Sequence, residues 1–353
     1  MVKYIIVPDR ELQEFSAKIF MKMGVSKAWA ENIAEHLVLA NLRGVDSHGV
    51  IRIPYYVEGI RKGWVKPQAK IKTLRETMVT SLIDGGGGLG IVVATKATEM
   101  AIEKAKKSGV ALVGARNLGH VGMLAYYTIK IVDENLIGFA CANAPAAVAP
   151  WGGRERVFGT NPISLGFPLR EGKPIVIDMA TSSLASFKVL VMKLQNKKLP
   201  PESALDREGR FTTDPEEALR GTLLPFGKYK GYSFSLMVEV LSSALVGGPT
   251  SKEVIPHAST QGGFLVAALD PAVFRSYDEY EADMKKIIEA VTSCPPMEGV
   301  ERVLLPGEIE DKTFHERKKM GIPIDGETWG KLKELAEELR VDLPRTKMEE
   351  QGK

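Results

Sequence analysis

Apolar residues recur at helical spacing at both ends of the chain. Leu12, Phe15, Ile19 and Met23 share one face of a segment that Asp9 can cap and Gly24 can end, which predicts a helix over 10–23. Ser26 can cap a second helix over 27–43 that Gly44 stops, and Pro54 suits the first turn of a third that ends before Gly63. Between these two helices, residues 45–53 form a polar elbow. Near the other end, Trp329, Leu332, Leu335, Ala336 and Leu339 cluster on one face of residues 327–340, the pattern of a docked helix rather than a tail.

The centre has a different rhythm. Residues 78–84 and 110–115 read as strands around a helical run at 91–107, a local β-α-β pattern. A helix over 121–135 follows, with strands at 136–142, 163–168, 174–179 and 264–269 and helices at 231–246 and 276–292. Residues 199–230 are polar and interrupted by Pro200, Pro201, Pro215 and Pro225, so a long functional loop such as a lid is expected there. Helical ends around a mixed centre predict that the termini pack together. The expected division is a helical domain of residues 1–73 with 309–353, and an α/β domain of residues 74–308.

Composition narrows the function classes. The 353 residues are 44% hydrophobic and 26% charged, with a formal net charge of +3, ordinary for a soluble globular protein. There is no basic stripe for nucleic acid and no apolar run long enough for a membrane span. The two cysteines, Cys141 and Cys294, lie far apart, which excludes a disulfide scaffold or a zinc-thiolate site and suits a reducing cytoplasm. No HExxH or clustered Cys/His set appears, so no metal is expected.

The run Gly85-Gly86-Gly87-Gly88-Leu89-Gly90 satisfies a dinucleotide fingerprint, but four consecutive glycines match almost any glycine pattern. The acid such a fingerprint wants after the next strand is missing, with Arg116 and Asn117 in its place. A tight strand-to-helix turn is the better reading.

Five histidines carry the remaining chemistry: His36, His48, His120, His257 and His315. His36 and His315 sit in helical stretches and read as structural, and His257 alone says nothing. His48 lies in Asp46-Ser47-His48-Gly49, and His120 in a glycine-flanked turn, so either backbone can hold an imidazole toward a cleft. Taken singly, each fits a loop-stabilising role as well as a catalytic one. Carbonyl reduction would use them, because hydride on carbon requires a proton on oxygen and imidazole titrates near neutral pH. Arg52, four residues after His48, offers a planar fork for a carboxylate.

The segments 43–50 and 117–122 open a longer resemblance. It continues through Pro150-Trp151-Gly152-Gly153, Phe158-Gly159-Thr160-Asn161-Pro162, residues 177–182, Lys230-Gly231-Tyr232, Leu305-Pro306-Gly307-Glu308 and Gly321-Ile322-Pro323. In this order, over almost the whole chain, they resemble the type-2 malate/L-lactate dehydrogenase family, the sulfolactate-dehydrogenase-like oxidoreductases. The resemblance implies an α/β (α+β) fold that is not Rossmann: a mixed, largely antiparallel sheet with a helical domain built from both termini. It implies NAD or NADP as cofactor, a small 2-keto or 2-hydroxy acid as substrate, and a homodimer. His48 then matches the proton donor or acceptor with Ser47 beside it, and His120 a second acid/base candidate. Arg52 and Thr160 match substrate-binding positions. Ile177, Asp178, Met179, Ala180, Thr181, Ser182, Ser183, Lys230, Gly231, Pro306, Gly307 and Glu308 match cofactor-binding positions.

Two stretches depart from the family's pattern. Ala185-Ser186-Phe187-Lys188 stands where an Ala-Arg-Gly-Lys run is usual, and Gly227 is followed by Lys228 and Tyr229 where a Gly-Gly pair is usual before Lys230. Both adjoin the implied cofactor region and leave the choice between NAD and NADP open. Malate or sulfolactate is the leading substrate. A cyclic-imine reductase, a ureidoglycolate dehydrogenase and a non-catalytic ligand-binding member are the alternatives.

Overall fold

The computed structural model describes residues 4–194, 196–255 and 262–349. In chain order the first elements are β1 (Tyr4–Val7), α1 (Asp9–Lys22), α2 (Lys27–Leu42), α3 (Ile53–Arg61), β2 (Lys72–Glu76), β3 (Thr80–Gly88), α4 (Gly90–Ser108), β4 (Val110–Leu118), α5 (Ala125–Val132), β5 (Ile137–Ala142), β6 (Ile163–Phe167) and β7 (Ile175–Met179). Then come α6 (Ser186–Leu194), β8 (Ala204–Leu205), α7 (Pro215–Arg220), β9 (Thr222–Leu223), α8 (Tyr229–Glu239), β10 (Gly262–Leu269), α9 (Tyr277–Thr292), α10 (Glu308–Met320), β11 (Ile322–Asp325), α11 (Gly326–Leu339) and β12 (Lys347–Glu349).

The main sheet has seven strands in the order β2-β3-β4-β10-β5-β6-β7, and only the β3–β4 pair is parallel. Helix α4 makes that crossover. Its face of Ala94, Ala97, Ala101 and Ala105 is fully buried, and small side chains let the helix lie close to the sheet. On β4, Ala111, Val113 and Ala115 point to the same core, while Val110 and Leu112 face outward with more than a third of their surface open. This alternation is the period-2 signature of a strand with one buried face. The sheet is therefore mixed and largely antiparallel, and the fold is not a Rossmann fold.

The chain termini share a second core. Strand β1 pairs with both β11 and β12, and Val7, Leu12, Phe20 and Leu37 pack with Ile322, Ile324, Leu332 and Ala336.

Several local expectations are corrected. Asp9 does not cap α1: Pro8 holds the cap position, and Asp9 lies in the first turn, where its carboxylate suits the helix dipole and pairs with Lys318. Residues 85–88 continue β3, so the strand-to-helix turn expected of the run narrows to Leu89. Backbone crowds several glycines of the run: a Cβ on Gly85 would sit 2.8 Å from the Asn117 carbonyl oxygen, one on Gly86 2.8 Å from that of Lys70, and one on Gly90 2.0 Å from that of Gly119. Residues 199–230 are not one long loop. They hold β8, α7 and β9 around a small core of Val148, Phe158, Val189, Leu199, Ala204, Ala218 and Leu223. Those apolar positions are too sparse along the chain to show a period.

Candidate active site

The elbow after α2 is built from short-range constraints. Gly44 leaves the helix with φ +78°, and residues 46–52 form two single 3-10 turns. Asn41, in the last turn of α2, accepts from the Val50 N–H at 2.8 Å and donates to the Asp46 carboxylate at 2.6 Å. A Cβ on Gly49 would lie 2.2 Å from Asn41 Oδ1, so glycine is required there. Arg317 of α10 grips the same carboxylate with both Nη groups, at 2.6 and 3.0 Å. The two-pronged geometry makes this pairing directional as well as attractive. Within the elbow, Arg52 Nε donates to the Ser47 carbonyl at 2.6 Å, and Ser47 Oγ lies 2.9 Å from His48 Nδ1.

His120 arrives from the turn between β4 and α5. Sequence periodicity predicts a helix from 121, but α5 begins at Ala125. The delay has a local cause. Gly122 adopts φ +75° against the buried His36 ring, where a Cβ would sit 2.3 Å from Cε1, and His36 Nε2 accepts from the Met123 N–H at 3.0 Å. His36 is structural, as its helical position predicts. It stacks on Tyr126 with ring centroids 4.7 Å apart.

The two turns bring His48 and His120 together, with ring centroids 5.5 Å apart and planes 22° apart. The Tyr56 hydroxyl of α3 lies 2.7 Å from His120 Nδ1. Among the described residues neither imidazole has a carboxylate partner. Burial, then the nearby Arg52 charge, lowers the His48 pKa to about 3, and the same two causes, followed by His48 and His36, hold His120 well below its ordinary value. Both rings are therefore neutral at pH 7.

The pair opens on a pocket of about 490 Å³, including its mouth, lined also by Asn143, Pro145, Thr160, Pro162, Gly262 and Gly263. Thr160 is part of this wall. Arg52 is beside the pocket rather than in its wall. Its one hydrogen bond among the described residues is the Nε bond to Ser47, so its Nη fork meets no acceptor among them. Asn143, which sequence reasoning missed, accepts from the Gly263 N–H at 2.9 Å and donates to the Pro249 carbonyl at 2.7 Å, tying two walls together. Tyr56, Asn41 and Arg317 were missed as well. Tyr56 had a signal, since His48, Arg52 and Tyr56 are spaced four apart. His257 lies outside the described residues.

The implied cofactor segments converge on β7. Gly231 packs so closely on 181 and 226 that a Cβ would sit 2.8 Å from the Thr181 carbonyl oxygen, and Gly307, at φ +88°, would place one 2.7 Å from that of Val176. Thr181 joins this region to the pocket: its N–H donates to the Thr160 carbonyl at 2.9 Å, and its hydroxyl lies 2.7 Å from that of Ser235 on α8. The hydroxyls of Ser182 and Ser183 donate to backbone carbonyls, so they are occupied by protein. Asp178 Oδ2 accepts from the Ala125 N–H at 2.8 Å, at the start of α5. Desolvation pushes this carboxyl up to about 7 against that bond and the Arg43 charge. Lys230 is exposed in the first turn of α8, Met179 is exposed at the end of edge strand β7, and Ala180 just after it is half-buried. Glu308 begins α10 and accepts from the Leu305 N–H and from Arg302.

Comparison with known proteins places these features in the 2-hydroxy-acid dehydrogenase class. Residues 7–333 match the family described as Malate/L-lactate dehydrogenase, and the chain belongs to that family. It is similar to the malate/(S)-sulfolactate dehydrogenase of Methanothermus fervidus, 38% identical over 343 residues that span 96% of this chain and 99% of that protein. The malate dehydrogenase of Pyrococcus horikoshii is 39% identical over 352 residues, spanning 96% of this chain and 97% of its own. The solved sulfolactate dehydrogenase of Methanocaldococcus jannaschii superposes with a TM-score of 0.91 at 36% identity, covering 96% of this chain and 98% of that one.

Proposed function

We propose that this protein transfers a hydride between NAD(H) or NADP(H) and a small 2-keto or 2-hydroxy acid, with malate and sulfolactate ahead of lactate. The observation that carries the reading is the neutral His48–His120 pair on a small pocket beside Arg52, whose Nη fork meets no acceptor among the described residues. The bound nicotinamide supplies or accepts the hydride. Arg52 takes the substrate carboxylate in two parallel hydrogen bonds. Thr160 borders the substrate, His48 with Ser47 moves the proton, and His120 contacts the reacting oxygen. The names of the relatives support this substrate class.

The residues at β7 fit a dinucleotide. Lys230 and the positive end of α8 favour phosphate, and exposed Met179 with Ala180 offers a surface beside the pocket. In this reading Ile177, Asp178, Met179, Ala180, Thr181, Ser182, Ser183, Lys230, Gly231, Pro306, Gly307 and Glu308 shape the cofactor site. Several act through backbone, because their side chains are committed to protein contacts.

The same reading takes the chain as two units, residues 1–73 with 309–353 and residues 74–308, supported by the pairing of β1 with β11 and β12. It takes the assembly as a homodimer, supported by Leu236, Val240 and Leu245, which are 45%, 50% and 60% exposed on and after α8. Light scattering should give twice the 38.6 kDa chain mass, and a monomer would refute the assembly. No described helix is long and apolar enough to cross a membrane, and the free cysteines suit a cytoplasmic location.

The test is a matrix of oxaloacetate, sulfopyruvate, pyruvate and a cyclic imino acid against NADH and NADPH, followed by near-UV absorbance. Turnover of a dicarboxylic or sulfonated keto acid is expected. Turnover of the cyclic imino acid alone makes the protein an imine reductase, and no turnover at all removes the dehydrogenase reading.

A further inference from the structure

Two imidazoles share the pocket, yet their hydrogen-bond partners differ in a way that separates their roles. Tyr56 is 2% exposed, and its hydroxyl makes one hydrogen bond among the described residues, to His120 Nδ1 at 2.7 Å. A buried phenol hydrogen needs an acceptor. Among the described residues the one acceptor within reach is an unprotonated Nδ1. If Nδ1 carried a proton, two hydrogens would compete for one contact, and the phenol hydrogen would be left buried without a partner. His120 must then carry its proton on Nε2, which has no hydrogen bond among the described residues, in a ring that lines the pocket. His48 meets a different partner. A serine hydroxyl rotates, so Ser47 can donate to an unprotonated Nδ1 or accept from a protonated one without loss of the 2.9 Å contact. His48 can change charge and keep its support, whereas His120 cannot.

We propose that Tyr56 is a positioning residue that locks His120 as the neutral Nε2–H tautomer, a hydrogen-bond donor to the substrate's keto oxygen, and so leaves His48 to carry the proton. The proposal rests on the dehydrogenase reading and deepens it. In the oxidative direction the carbinol carbon would give its hydride to a bound oxidised nicotinamide, and the O–H bonding pair becomes the carbonyl π pair. Neutral His48, with its Nδ1–H donated to Ser47, takes that proton on Nε2 and becomes cationic, and reduction is the reverse. His120 holds the oxygen throughout and neither gains nor loses a proton. A neutral imidazole acting as an electrophile in this way is sound chemistry for a carbonyl.

The experiment uses full-length protein labelled with ¹⁵N-histidine, with His120 assigned by comparison with His120→Gln. Two-bond ¹H–¹⁵N couplings should show His120 with a protonated Nε2 and a bare Nδ1. In Tyr56→Phe, which keeps the ring packed near Phe20, the tautomers should mix. The kcat of that variant should fall by about tenfold or more while the KM for the keto acid stays within about threefold, since a wrongly protonated histidine damages turnover more than binding. A protonated Nδ1 in the wild-type protein overturns the proposal, whether or not the variant folds. So does a Tyr56→Phe protein with an unchanged tautomer and kcat within about twofold of wild type. A wild-type protein that shows the Nε2–H tautomer but reduces no 2-keto acid supports the lock and overturns the dehydrogenase reading.

Discussion

At the scale of single residues, the site is governed by glycines and by polar groups that hold them. Gly49 and Gly122 each lie where a Cβ would strike a neighbouring side chain, Asn41 in one case and His36 in the other. Those neighbours in turn anchor the two turns that carry His48 and His120. Replacing His48 by Ala should abolish keto-acid turnover while NAD(P)H still binds, because the ring contacts the pocket rather than the β7 edge. Fluorescence titration of the cofactor beside steady-state rates checks this, and a near-normal kcat would show that the proton moves through another group. The motif Asp46-Ser47-His48-Gly49 was legible as an elbow, but the reason for its aspartate was not. Arg317, which grips Asp46, is 271 positions away, and no local pattern links them.

At the scale of elements, strands were easier to locate than helix starts. The alternation on β4 and the alanine face of α4 follow from local period alone, so both are visible in the sequence. The true start of α5 was hidden, since it depends on a hydrogen bond to a histidine of α2. Helix α8 shows a cost that the sequence hinted at. Lys228 precedes it at φ 62° and ψ −118°, a conformation favoured by glycine. Its ion pair with Glu202 is exposed and adds little. Lys228→Gly should therefore stabilise the protein by about 1 kcal/mol, measured as a shift in the urea midpoint. An unchanged or lower midpoint would argue that the lysine contributes more through its contacts than it loses in strain.

At the scale of the whole molecule, burying histidines without acidic partners makes stability depend on pH. Desolvation first, then the charges of His48 and Lys130, lowers the pKa of His36 from 6.5 to about 3, and His48 is lowered by a similar amount. The folded state keeps these rings neutral, while the unfolded chain takes up protons below 6.5. The contribution is thus complete above pH 6.5 and is lost progressively as pH falls toward 3. Urea midpoints should decline from pH 6.5 to 5, above the range in which most carboxylates titrate, and His36→Gln should flatten that slope. A wild-type midpoint that does not move over this interval would contradict the burial of neutral imidazoles.

The sequence by itself determined the periodic elements, the termini's helices, the identity of the two turn histidines and, through an ordered set of motifs, the family. Those features depend on neighbours within a few residues or on short patterns kept in order. Only the tertiary structure decided that the glycine run is a crowded strand end, that residues 199–230 form a small packed unit, and that Tyr56 stands behind His120. Each of these depends on which distant atom fills the space beside a residue. That is set by packing between elements, and a one-dimensional pattern does not carry it.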